Sequence, residues 1–432
     1  MALRGLVFSL LELSCIIHFA TGDRFIRPVE DVTILHSTTA ARKCAKHTHV
    51  FKESIPLFSS RTDLTKQTAI RSDHVHEVVF VVQQKRMDHI TRLLHEVSDP
   101  ASPNYGQHLS GEQISAITSN HEARDTIADF LNANGVLTMS ETLSGDFITA
   151  NAPISVWDRV FDTTFFVFTQ RHLNGDLEEI VRAETYSIPR ELDLHVESVL
   201  NTVELPVRTS RRLYRTSSTL ADRRMRELST APTGFLLPPD IRAYYNLTDV
   251  YGSEESTQSA VSFGPNYFSQ SSLAYFQQYM SFQPLQPALN VGGFESDDPA
   301  LESTEGDLDI QYLMGISPMS PTTFWHASSG WVSWLTAVLN TPNPPLVHSI
   351  SYGSDEQYTS LSTFNVMTTF AQKLGLMGVT LVSASGDDGV HSPDARNELT
   401  LCAYKPSFPG TNPYITTIGA TSVSTYKQLT DK

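Results

Sequence analysis

Seven acidic side chains crowd fifteen residues between Glu295 and Asp309: Glu295, Asp297, Asp298, Glu302, Glu305, Asp307 and Asp309. Density alone describes a solvated acidic loop or a loose cation site. The end of the run carries more information. Thr304 and Asp307 have the spacing of a helix start, where side-chain oxygens satisfy free backbone amides. Ile310, Leu313 and Met314 then give that helix an apolar face. On it Glu305 and Asp309 stand four residues apart and share one side. Two adjacent carboxylates do not both ionise cheaply, so one holds a proton into mildly acidic pH. Paired carboxylates of this kind serve general acid–base chemistry at low pH.

A second group is Ser383-Ala384-Ser385-Gly386-Asp387-Asp388-Gly389, directly after the apolar run Gly378–Ala384 (GVTLVSA). Ligands of open α/β sheets bind outside the carboxyl ends of the strands. A glycine-flanked aspartate there brings side chain and backbone close to a substrate. Ser, Gly and Asp are equally ordinary in a strand-to-loop turn, and by itself the motif favours the turn. It is not the Asp-Thr-Gly pattern of an aspartic protease.

The elements that position these groups show in the apolar pattern. His76–Val82 (HEVVFVV) reads as a buried strand, and Ile90, Leu93, Leu94 and Val97 have helical spacing within Arg86–Val97. Helices are expected near Gly111–Ile117, His121–Ala133 and Ser155–Phe161, with strands at Asp146–Ala150 and Thr164–Thr169. This β-α-α-β-α-β alternation predicts a small α+β domain over residues 74–205. Residues 23–73 show no sustained period and are expected to form a loosely ordered lead-in. Beyond about residue 232 the chain reads as α/β. Strands are expected at Pro345–Ser351, Gly378–Ala384 and Tyr414–Ala420, with a helix whose face is Leu361, Phe364, Met367, Phe370, Ala371 and Leu374. A strand–helix–strand crossover of this length implies parallel pairing.

Between the two domains, residues 206–231 hold Arg208, Arg211, Arg212, Arg215, Arg223, Arg224 and Arg226 among Ser and Thr. An exposed polar linker at a break in composition is expected to be cut, with Arg223, Arg224 and Arg226 marking the processing region. The break itself is clear in the charges. The chain has 432 residues with 31 Lys+Arg against 47 Asp+Glu, a net charge of −16. Residues 1–230 hold 25 of the basic and 29 of the acidic groups, together with 12 of the 15 histidines. The acidic balance argues against nucleic acid or an anionic membrane as partner, since both need a basic face.

Residues 1–22 combine Arg4, an apolar stretch from Leu6 to Phe19 and small residues ending at Gly22, which describes a secretory signal interrupted by Glu12. No later run is long and apolar enough for a membrane helix. Asn246-Leu247-Thr248 is a glycosylation triplet consistent with that route. Three cysteines exclude a disulfide scaffold. Removing the leader takes Cys15. Cys44 and Cys402 lie in different halves, which favours two free thiols, or partners outside this chain, over a mutual bond.

Taken in order along the chain, these segments resemble the sedolisin (serine-carboxyl peptidase) family, and most closely its lysosomal tripeptidyl-peptidase branch. HEVVFVVQQ and SDPASPNYGQHLS are similar to its propeptide, and LLPPDIRAYYNLTDVYG to the start of its mature enzyme. Glu305-Gly306-Asp307-Leu308-Asp309 resembles its Glu-x-x-x-Asp helix. HSISYGSDE, SASGDDG and FPGTNPYITTIGATS follow as later landmarks. The resemblance implies a subtilisin-like parallel-sheet catalytic domain over 232–432, incomplete, preceded by a ferredoxin-like propeptide domain. It implies an acid-active serine peptidase made as a zymogen, inhibited by its own propeptide, acting on peptides or proteins in a lysosomal, vacuolar or extracellular setting. Glu305 would be the general base, Asp309 its orienting partner, and Asp387 an oxyanion-hole donor in its protonated form. A Glu base stays usable at about pH 4–5, where imidazole is protonated.

The resemblance also departs at one point. The family's nucleophile lies in a Gly-Thr-Ser-x-x-x-Pro motif, whereas Gly410-Thr411-Asn412 has Asn at the serine position and Gly419-Ala420-Thr421-Ser422 matches another segment. The family's calcium ligands would fall beyond Lys432. The chain is therefore expected to be inactive as it stands, either a truncated form of an active enzyme or an inactive relative. A different class of reading is a secreted non-catalytic binding protein or propeptide-like inhibitor. A subtilisin-type Asp-His-Ser centre is disfavoured, because His326, His348 and His391 sit in no Gly-rich helix entry. Trp325, Trp331 and Trp334 could line a substrate groove, although core packing accounts for them more simply. Finally, His74, His76, His89 and His95 are candidates to loosen the propeptide on acidification, against the simpler reading of uncoupled surface histidines.

Overall fold

The computed structural model describes residues 48–56, 61, 63–142, 144–171, 177–206, 236–247, 249–264, 266–282, 286–298, 304–327, 330–390 and 404–420. The expected signal sequence, the arginine linker from residue 207 onward, and Cys15, Cys44, Cys402 and His391 lie outside them. The activation half contains β1 (His49–Ser54), β2 (Leu64–Ala69), β3 (Val75–Val82), α1 (Met87–Ser98), α2 (Gly111–Thr118), α3 (His121–Ala133), β4 (Thr138–Glu141) and β5 (Phe147–Pro153). It continues with α4 (Ile154–Val160), β6 (Phe165–Arg171), β7 (Leu177–Ala183), β8 (Thr185–Pro189) and β9 (Val196–Leu200). Strands β4, β5, β3 and β9 form, in that order, an antiparallel sheet. Its chain path, β-α-β-β-α-β, is that of a ferredoxin-like domain.

Local sequence explains the helix starts. Ser110 Oγ accepts from Gln113 N at 3.2 Å while Gln113 Oε1 accepts from Ser110 N at 2.8 Å, a closed capping box for α2. Asn120 Oδ1 caps α3 through Ala123 N. Strand β3 buries Val78, Phe80, Val81 and Val82, filling both faces at its end because helices and the second domain cover it.

Three expectations are corrected. The lead-in 23–73 is not loosely ordered throughout: β1 pairs with β8 and β2 with β6, so the folded domain begins well before residue 74. Both strands are short and mostly polar edges, which leaves no apolar period to read. The strand expected at 164–169 is β6, but it joins a separate sheet with β2 and β7. The fourth strand of the main sheet is β9, and β4 was not expected at all.

The second half contains α5 (Pro238–Tyr244), β10 (Gln258–Phe263), α6 (Gln270–Tyr279), β11 (Leu289–Val291), α7 (Thr304–Ile316), β12 (Thr322–Ala327), α8 (Trp331–Leu339) and β13 (Val347–Ile350). After them come β14 (Ser354–Asp355), α9 (Leu361–Leu376), β15 (Thr380–Ala384), β16 (Ser407–Phe408) and β17 (Thr416–Ile418). Six strands form one sheet in the order β11-β12-β10-β13-β15-β17, and every adjacent pair is parallel. All their carboxyl ends therefore point to one edge. Strands β10 and β12 are buried at every position, as expected for a sheet covered on both faces. This is the α/β, subtilisin-like architecture expected from the sequence.

The activation half grips α9 from end to end. Glu53 Oε1 accepts from Leu361 N at 2.5 Å and Ser362 N at 3.4 Å at the start of that helix. Phe147 stacks on Phe370 with ring centroids 4.9 Å apart. Lys373 Nζ meets Asp146 Oδ2 at 2.7 Å, with both side chains almost wholly buried. Leu109 N donates to Leu376 O at the helix end. Val81, Phe147 and Leu200 thereby join the same apolar core as Met367, Phe370 and Leu374.

Candidate active site

Helix α7 lies against the segment that leads into α6. Gly306 makes this possible, because a Cβ there would stand 2.3 Å from the carbonyl oxygen of Tyr267. Ile310 and Met314 turn inward onto Phe268, Leu273 and Phe324. The acidic run divides accordingly. Asp307 is buried and accepts from Ser269 N at 2.9 Å. Asp297 Oδ1 accepts from Ser269 Oγ at 2.7 Å and Ser271 N at 3.1 Å, bonds that hold its carboxyl below the usual range. These two acids fasten the start of α6. Glu302 lies outside the described residues.

Glu305 and Asp309 occupy the other side of α7, as their spacing predicted. Asp309 retains some accessible surface as a residue, but protein atoms enclose its carboxyl. Burial first, and the neighbouring Glu305 charge second, push its pKa up to about 8, against a lowering hydrogen bond from Ser351. Ser351 Oγ donates to Asp309 Oδ1 at 2.8 Å. Ser351 is the residue after β13, so this bond ties α7 to the carboxyl edge of the sheet. Nothing in the sequence singled it out, although a polar residue just past a parallel strand is where a site would be sought.

Asp387 follows β15, the neighbour of β13, and so stands on the same sheet edge, exposed. Gly386 and Gly389 flank it with φ of +92° and +64°, left-handed values that glycine adopts freely. The structure thus joins Glu305, Asp309 and Ser351 into one contact network and puts Asp387 at the adjoining strand end. Asn412 is buried in the turn after β16. Its Nδ2 donates to Thr368 Oγ1 at 2.8 Å and its Oδ1 accepts from Tyr414 N at 3.0 Å. Both polar atoms are committed to packing that turn on α9.

His348 in this half is structural. His348 Nδ1 meets Ser259 Oγ at 2.6 Å across β10 and β13, but both residues are buried completely. Burial pulls the His348 pKa down to about 4. Trp325 and Trp334 pack in the core, Trp334 edge-on to His348. Trp331 lines a cavity of about 680 Å³ between the two halves, shared with Arg182, Glu204, Tyr358 and Thr336. Glu305, Asp309 and Asp387 are not among its walls. Asn246 is exposed at the end of α5, as a glycosylation site requires. Of the four propeptide histidines, His74 and His95 are exposed. His76 bonds Asn201 O at 2.8 Å inside the activation half, where burial lowers its pKa to about 4. The described seam carries Glu53, Asp146 and Lys373, with His108 beside Gly378.

Among the described residues no group of three or more His, Cys, Asp or Glu side chains could hold a metal ion. Among them, too, no helix is long and apolar enough to cross a membrane.

Residues 62–205 match the family profile "Pro-kumamolisin, activation domain". The chain is 29% identical to human (Homo sapiens) tripeptidyl-peptidase 1 over 374 residues, covering 82% of this chain and 63% of that protein. It is 28% identical to the Rattus norvegicus protein over 365 residues, covering 80% and 61%. The chain thus carries a pro-kumamolisin-type activation domain and is similar along most of its length to tripeptidyl-peptidase 1. The chain spans about six-tenths of the length of those relatives. A solved Pseudomonas sedolisin, complexed with two molecules of pseudo-iodotyrostatin, matches with 18% identity over 45% of this chain and 56% of that one. Its TM-score is 0.34, too loose a superposition to bear on the site.

Proposed function

We propose that this chain is the activation domain and carboxylate-bearing part of an acid-active serine-type peptidase made as a zymogen. The observation that carries this reading is the Asp309 carboxyl, which keeps its proton beside Glu305 up to a pKa of about 8. At pH 4–5 the proton shared by the pair resides on Asp309. Glu305, its neighbour on the same helix face, would then be the carboxylate left to take a proton. That arrangement lets Glu305 act as general base for a serine hydroxyl. The serine oxygen bonds to the scissile carbonyl carbon, its proton moves to Glu305, and the same proton passes to the departing amine. Water then attacks the acyl-enzyme by the reverse route. Asp387, at the neighbouring strand end, would face the oxyanion.

Peptides or proteins would be the substrates and the activation half the inhibitor, released after cutting near Arg223, Arg224 and Arg226. The secretory signature and Asn246 support a secreted or lysosomal destination. The test is a chimera in which this chain is continued by a segment bearing the family's Gly-Thr-Ser motif. It should hydrolyse peptides at pH 4, and Glu305→Gln should lower kcat by about 100-fold or more. An unchanged kcat in that variant would refute the base assignment. A folded chimera with no hydrolysis would favour the non-catalytic binding protein.

A further inference from the structure

The end of β13 is unusually well fixed for a loop-entry position. Ile350 is buried, and Tyr352 is buried with its hydroxyl 3.3 Å from Ser262 Oγ. A Cβ on Gly353 would stand 2.7 Å from the carbonyl oxygen of Phe408, so the backbone is pressed against β16 there. Strand β14 then pairs with β16 through Ser354 and Asp355. Ser351 sits between these anchors, and its hydroxyl reaches Asp309 on a different element. A hydroxyl held this way is a preorganised donor, whereas a serine on a free loop would spend entropy to make the same bond.

We propose that Ser351 is a positioning residue for the Glu305–Asp309 pair, fixing through its hydrogen bond which Asp309 oxygen remains free to carry the shared proton. The proposal rests on reading the pair as acid–base machinery. With Oδ1 occupied by Ser351, the proton of Asp309 belongs on Oδ2. Removing the hydroxyl frees both oxygens and lets the carboxyl rotate. It also deletes a bond that favours the ionised form, so Asp309 should bind its proton more tightly.

The other ionisable groups on elements packed against α7 include Arg242, Asp240, His326, Tyr275 and Tyr279. Arg242 on α5 donates to Ile316 O at the far end of α7, and Asp240 acts on Tyr312. His326 at the end of β12 bonds Gly264 O. Tyr275 and Tyr279 lie on α6. Glu305 is the charge that acts on Asp309.

The test is an infrared pH titration of the full chain, following the C=O band of the protonated carboxyl that disappears in Asp309→Asn. No substrate is needed, so this test can fail while the chimera cleaves peptides, or succeed while it does not. In Ser351→Ala the titration midpoint should rise by about one pH unit, a tenfold gain in proton affinity. Ser351→Thr, which keeps the hydroxyl, should titrate like the unaltered protein. Ser351→Cys, with a weaker donor, should fall between and decides the matter if the alanine variant does not fold. A merely structural serine would change the melting temperature without moving the midpoint. An unmoved midpoint in Ala or Cys, or a shift in Thr as large as in Ala, overturns the proposal.

Discussion

Two of the aspartates enclosed by protein, Asp146 and Asp309, are made tolerable in opposite ways. Asp146 sits at the seam between the halves and faces the Lys373 ammonium at 2.7 Å. Asp309 sits at the carboxyl edge of the parallel sheet with another carboxylate for a neighbour. In the first case the charge is balanced by an opposite charge. In the second it is removed by a proton. The seam pair is held by its own opposite charges, whereas burial and the Glu305 charge raise the pKa of Asp309 to about 8. An enclosed acid with a cation partner holds parts together; one with a like-charged partner is a candidate for chemistry.

The strongest way to break this comparison is to remove one member of the seam pair. Lys373→Met leaves Asp146 without its cation partner and takes away one of the two lysines that act on Glu197, and such losses cost about 3–5 kcal/mol. Denaturant unfolding should show this loss, and Asp146→Leu combined with Lys373→Met should recover much of it. A single variant as stable as the unaltered chain would remove the contrast. The second test acts on Asp309, whose folded pKa of about 8 lies above its ordinary 3.8. The folded state thus binds the proton more tightly, so this group's contribution is complete below pH 3.8 and is lost as pH rises through 8. Asp309→Asn, which mimics the protonated acid, should stabilise by about 2–4 kcal/mol at pH 7 and by nearly nothing at pH 4. Equal effects at the two pH values would contradict the proton assignment.

These contrasts show where the sequence was informative. Helical spacing brought Glu305 and Asp309 together because i and i+4 share a face whatever the tertiary fold. Long periodic elements such as α3 and α9 were legible for the same reason. The partners that decide each aspartate's state were not. Ser351 is 42 residues from Asp309, and Lys373 is 227 from Asp146. Such separations leave no local period, and a lone Ser or Lys looks like any surface residue. Short edge strands β1 and β2 failed for a related reason: their pairing partners, not their own residues, make them strands. The acidic run needed the fold too, since only packing separates Asp297 and Asp307, which fasten α6, from the pair.

The smallest expected effect concerns Glu53, an intermediate between the two aspartates. Among the described residues no ion pair is seen for it, but its carboxylate accepts from the first amides of α9. Two influences oppose one another. Burial raises its pKa, while the hydrogen bonds from Ser362 and Leu361 lower it, and burial prevails. The folded state therefore favours the proton, and acid relieves this contact instead of breaking it. Glu53→Ala loses the cap and should destabilise by about 1 kcal/mol. Glu53→Gln keeps an acceptor oxygen without the buried charge, so at pH 7 it should equal or slightly exceed the unaltered chain in stability. The two should converge as pH falls below the ordinary value of 4.5. If Gln proved as costly as Ala at pH 7, the charge itself would be holding α9. Glu53 would then belong with Asp146 among the groups that fasten the halves together.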